Sequence, residues 1–93
     1  MSILDEYKLI QKNTELMEFD IQYMALGLGG EVGEVQNEIK KLFRDDDNKL
    51  DDNRKKRIMS ELGDTMWYLT GICRRIDCTI EDILKLSIEK VNR

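Results

Sequence analysis

Apolar residues recur at intervals of three and four through almost the whole chain, the period of a helix that buries one face. Ile3, Tyr7, Ile10 and Thr14 mark a first helix ending near Asn13 or Thr14, with Ser2 as its N-cap and Asp5 in an acidic first turn. The stretch from Glu15 to Asp20 reads as a short connection that could be partly helical. Leu28, Val32, Val35, Ile39 and Leu42 carry a long second helix from about Ile21 to Arg44. Clustered Asp and Asn between Arg44 and Asn53 break the period and leave an N-cap near Asp51, Asp52 or Asn53. A calcium loop is excluded there, because the glycine and the closing Glu such a loop needs are missing. Ile58, Leu62, Thr65, Leu69, Ile72 and Ile76 then define a third helix reaching Ile76 or Asp77. Thr79, with Asp82 three residues on, caps a fourth, whose buried face is Ile80, Ile83, Leu84, Ile88 and Val91. Cys78 and Ile83 could form a hydrophobic staple across that cap. No stretch alternates at the period of a strand, so the predicted fold is all-α, with four helices.

Acidic residues complicate the two long helices. At roughly 100° per residue, with Glu31 at zero, Glu34 lies near −60° and Glu38 near −20°, while the apolar stripe spans about +20° to +100°. The carboxylates border the core face instead of opposing it, where ionised groups lose hydration and need a counter-charge. Glu61-Leu62-Gly63-Asp64 repeats Glu31-Val32-Gly33-Glu34 on the third helix, again beside the stripe. If the two helices pack antiparallel, four carboxylates converge, a donor set suited to a hard divalent cation. A single pair of this kind would be an ordinary solvated face; the repetition is what makes a site. Lys41 falls on the acid side of the wheel and Lys40 on the opposite side. The glycines of the second helix each cost roughly 1 kcal/mol against Ala, so tertiary contacts must support it. Close packing is expected at Gly33 and Gly63, whereas Gly27 and Gly30 leave packing and room for a ligand as open alternatives.

Composition narrows the function. Acidic residues outnumber basic ones 19 to 15, for a net charge of −4, and no basic run stands out. That argues against a nucleic-acid binder and suits a protein that meets an anionic ligand through a metal ion. The chain of 93 residues has no proline, one Trp and five Phe plus Tyr. Its modest aliphatic core points to association between copies. Cys73 and Cys78 occur without any histidine, so no zinc spacing exists. Five residues apart across a helix end, they read as a poor disulfide pair, Cys73 as core and Cys78 at a helix entry, in a reducing cytoplasmic setting. The N-terminus lacks the features of a secretory signal and no run is long enough to span a membrane.

The blocks Ala25-Leu26-Gly27-Leu28-Gly29-Gly30-Glu31-Val32-Gly33-Glu34-Val35, Ile39-Lys40-Lys41, Glu61-Leu62-Gly63-Asp64-Thr65-Met66-Trp67-Tyr68-Leu69 and Ile88-Glu89-Lys90-Val91 resemble those of the MazG-like nucleoside triphosphate pyrophosphohydrolases. The resemblance runs from about Tyr7 to Arg93 and treats residues 1–93 as one domain. It implies a four-helix all-α domain that assembles into helical-bundle oligomers, as a homodimer or homotetramer. It also implies hydrolysis of nucleoside triphosphates to a monophosphate and pyrophosphate with Mg²⁺, for which Mn²⁺ could substitute. Metal ligation carries over to Glu31, Glu34, Glu61 and Asp64. Glu38, on the same stripe, is the candidate for a second ion or for handling the attacking water. Lys41, Lys90 and Arg93 are candidates for phosphate contact. Tyr68 borders the acids, and Trp67 points to interface packing. Narrower dUTP, dCTP or phosphoribosyl-ATP hydrolysis, and a non-catalytic helical assembly module, are the alternatives.

Overall fold

A computed structural model describes residues 1–15 and 19–92; the predicted connection falls partly, and Arg93 wholly, outside these. Among the described residues there are four helices and no strand: α1 (Ile3–Thr14), α2 (Ile21–Asp45), α3 (Asp52–Arg75) and α4 (Ile80–Val91). Each begins on a side chain that accepts a hydrogen bond from an otherwise orphaned backbone N–H: Ser2, Asp20, Asp51 and Thr79. Thr79 and Asp82 complete a reciprocal capping box. The turn after α2 places Asp47 and Asn48 in the left-handed region, at φ 54° and 60°. Short polar side chains of this kind tolerate that conformation best after glycine.

Residue pairs across α2 and α3 fix their register. Met24 meets the position of Gly71, Gly27 that of Tyr68, and Glu38 binds Arg54, so numbers rise on one helix as they fall on the other. The long helices are therefore an antiparallel hairpin. α1 runs parallel to α3 at a constant offset. The Tyr7 hydroxyl donates to the Gly63 carbonyl at 3.2 Å and Gln11 Nε2 to the Trp67 carbonyl at 3.3 Å. Arg75 Nε closes the same register on the Phe19 carbonyl at 2.9 Å.

Polar groups do much of this docking. The buried Glu15 carboxylate accepts from Arg74 at 2.7 Å and from Arg75, and Arg74 also donates to Gln11 Oε1 at 3.1 Å. Fully buried Gln11 and Met24 stand side by side around Gly71, where a Cβ would collide with the Met24 methyl and crowd Glu15. No buried side-chain polar atom among the described residues lacks a partner. The expected packing glycines prove to be different ones. A Cβ at Gly33 or Gly63 would meet nothing within 4 Å, whereas one at Gly27 would strike the Tyr68 ring. Helical rotation reports which face a glycine occupies and says nothing of how near the neighbouring helix comes.

Among the described residues only Met24, Cys73 and Ile80 form a buried apolar core. Val32, Ile39 and Leu62, on the outer edge of the α2–α3 stripes, remain exposed, as do Leu84, Leu86, Ile88 and Val91 of α4. The radius of gyration is 15.4 Å, against roughly 12 Å for a compact chain of this length.

Candidate metal centre

The antiparallel register brings Glu31 of α2 opposite Glu61 and Asp64 of α3. One carboxylate oxygen from each lies within 4.8 Å of the other two. Glu31 and Glu61 are half-buried and Asp64 is exposed. Burial, and then repulsion from Asp64, Glu31, Glu34 and Glu38, raises the Glu61 carboxyl above the usual range. Thr65, one turn on, turns its hydroxyl back to the Glu61 carbonyl at 3.0 Å and leaves the carboxylates to one another. Oxygens on a hexacoordinate Mg²⁺ at 2.0–2.1 Å sit roughly 3 to 4 Å apart. The trio needs only a small closure to reach that spacing, and a hard cation is what three clustered carboxylates suit.

The remaining expected site residues occupy different surroundings. Glu34 is exposed and outside the trio, though near enough to act on Glu61. The Glu38 carboxylate accepts from Arg54 Nη1 at 2.5 Å and lies 3.7 Å from Lys41 Nζ. Arg54, and then Lys41, hold its carboxyl below the usual range. The stabilisation from this pairing is therefore present above an ordinary carboxylate pKa and is lost as pH falls through the lowered one. Lys41 sits beside the acids and Lys40 is exposed. Lys90 is exposed on α4, and Arg93 lies outside the described residues.

Tyr68 fits against Gly27 and meets Trp67 edge-on at 5.1 Å. Burial, then Tyr23, Glu31 and Asp64, raise its phenol above the usual range, and Tyr23 belongs to a second aromatic pair. That pair is Phe19 and Tyr23, stacked at 4.2 Å and 11°.

Two contributors escape the sequence reading. Arg54 is 8% exposed and bridges Glu38 to Asp46 Oδ2, the latter at 2.7 Å, tying the end of α2 to the start of α3. It falls near +20° when Glu61 is zero, a cation on the apolar stripe, and that misplacement was its signal. The Phe19–Tyr23 pair straddles the start of α2, where no periodicity could relate the two rings.

An all-α hairpin whose facing helices bring three carboxylates together is the class these elements define. The chain matches the MazG nucleotide pyrophosphohydrolase domain over residues 19–93 and belongs to that family. It is similar to the "Gene 37 protein" of Mycobacterium phage L5, at 31% identity over 71 residues, 76% of this chain and 62% of the relative. The chain thus spans about three fifths of that relative's length. No solved structure matches it. No described helix is long and apolar enough to cross a membrane.

Proposed function

We propose that this chain is a Mg²⁺-dependent nucleoside triphosphate pyrophosphohydrolase, releasing a nucleoside monophosphate and pyrophosphate, with a role in keeping the nucleotide pool clean. The observation that carries the reading is the convergence of Glu31, Glu61 and Asp64 from two antiparallel helices within 4.8 Å, in a chain of this family. These three would hold Mg²⁺ or Mn²⁺, and the exposed Glu34 would complete the set. The bound cation would neutralise phosphate oxygens and acidify water.

The chain's own residues supply direction. Along α2 come Tyr23, Gly27, Glu31, Glu38 and Lys41. At 1.5 Å per residue, Tyr23 stands about 12 Å to one side of Glu31 and Lys41 about 15 Å to the other. A triphosphate laid along this helix places its base on the Phe19, Tyr23 and Tyr68 rings and its phosphates past the acids toward Lys41. Lys90 and Arg93 are further phosphate contacts in this reading. Stacking on aromatic faces accepts any base, so a broad base preference follows. Glu38, clamped by Arg54, accepts a hydrogen bond from water and orients it. The clamp lowers its basicity, so Glu38 positions the water more than it deprotonates it.

Residues 1–93 form the functional unit in this account, because α1 is bonded along α3 although the family match begins at residue 19. The unit is completed by association. The accessible surface of 6986 Å² exceeds the roughly 5,600 Å² expected of a compact protein of this mass. Val32, Ile39, Leu62 and the apolar face of α4 are exposed and available to such an interface. Light scattering at micromolar concentration should give a homodimer or homotetramer; a stable 11.0 kDa monomer would end this part of the proposal.

Phosphorus NMR of products from a panel of ribo- and deoxynucleoside triphosphates tests the reaction. Monophosphate with pyrophosphate is expected. Diphosphate with orthophosphate, or no turnover across the panel, would overturn it.

A further inference from the structure

The end of α3 brings two thiols together that the sequence had set apart. Asp77 takes the left-handed conformation, at φ 59°. The Cys78 N–H donates to the Cys73 carbonyl at 2.9 Å and the Asp77 N–H to the Arg74 carbonyl at 3.4 Å. These are the two bonds of a Schellman motif, in which the third-last helical residue and the second residue past the cap come into side-chain contact. Here those residues are Cys73 and Cys78. Both are free thiols, and the two side chains line one cavity.

Their setting allows chemistry. Cys73 is buried and Cys78 half-buried, and both face a cavity of about 330 Å³ that Lys8, Lys12 and Arg74 also line. The same joint aims α4. Beyond buried Ile80 and the Lys8–Glu81 ion pair at 2.7 Å, most of the helix is exposed. What fixes Cys73 to Cys78 therefore fixes the direction of α4.

We propose that Cys73 and Cys78 are a reversible dithiol–disulfide switch, exchanged with small disulfides of the glutathione type, that locks the α3–α4 joint. In the first step Cys78 gives its proton to solvent, and its thiolate attacks one sulfur of the small disulfide. That S–S bond breaks, one small thiolate leaves and takes up a proton, and a mixed disulfide remains on Cys78. Cys73 then loses its proton and attacks the Cys78 sulfur, and the second small thiol leaves. Two protein thiols are oxidised by two electrons, and one small disulfide is reduced to two thiols. Burial, reinforced by the Cys78 contact, pushes the Cys73 thiol up to about 11, which keeps the second step slow.

The test equilibrates the full, reduced chain with buffers of reduced and oxidised glutathione, followed by acid quench and intact-mass measurement. A monomer about 2 Da below the reduced mass is expected. Its equilibrium constant should be at least tenfold larger in the folded chain than in the same chain unfolded in guanidinium. Amide hydrogen exchange at Cys78 should slow at least tenfold on oxidation, and Cys78→Ser should show no 2 Da loss. Glutathione adducts without loss of the two hydrogens, a disulfide between chains, or a folded-state constant no larger than the unfolded one would each overturn the switch.

Discussion

Glu61→Gln and Asp64→Asn should each lower turnover by on the order of a hundredfold or more, the scale seen when electrostatic stabilisation of a transferring group is lost. Each amide keeps the shape of its acid and removes one negative oxygen from the trio whose atoms lie within 4.8 Å of one another. Glu31→Gln should match them. The losses should not add, because the three dismantle one ion site, and a double variant should be little worse than the weaker single. Steady-state pyrophosphate release decides it. Activity within a fewfold of wild type in Glu61→Gln would remove α3 from the site.

The second large effect is on stability, far from the acids. Glu15→Ala should cost about 3–5 kcal/mol, because it leaves buried or half-buried guanidinium groups of Arg74 and Arg75 without the carboxylate they share. Against a typical total of roughly 5–15 kcal/mol, that is enough to leave α1 undocked at moderate temperature. Denaturant titration at one fixed protein concentration measures it, since association would otherwise shift the midpoint. A cost under about 1 kcal/mol, the scale of an exposed pair, would mean that water already serves Arg74 and Arg75.

Most of the architecture was legible because it is local. Ser2, Thr79 and Asp82 cap as their types and spacing require, and the apolar period gives α2 and α3 to within a residue or two. The acid cluster was legible in part for the same reason: i, i+3 spacing fixes a face, but antiparallel packing stayed a condition, and Glu34, expected with the others, lies outside the trio. What the wheel could not supply was distance. A Cβ at Gly33 or Gly63 would meet no neighbouring side chain, while Gly27 and Gly71 take the close contacts.

Charged residues in apolar places were the other blind spot. Arg54 lies on the α3 stripe and Glu15 continues the Tyr7–Gln11 row of α1, yet both were passed over, because a buried charge is only intelligible with its partners in view. Cys73 and Cys78 failed differently. Their short spacing across a helix end argued against contact until a left-handed Asp77 folded the chain back on itself.

The central claim is that Glu31, Glu61 and Asp64 form a divalent-cation centre, and thermal melting with and without Mg²⁺ or Mn²⁺ tests it most directly. Glu61 is half-buried among like charges, and lost hydration, then their repulsion, raises its pKa. The metal-free wild type should therefore melt below metal-free Glu61→Gln, and added cation should raise the wild-type midpoint in a concentration-dependent way. The Glu61→Gln variant should start higher and lose most of that rise. An equal metal-dependent rise in both proteins would contradict the assignment.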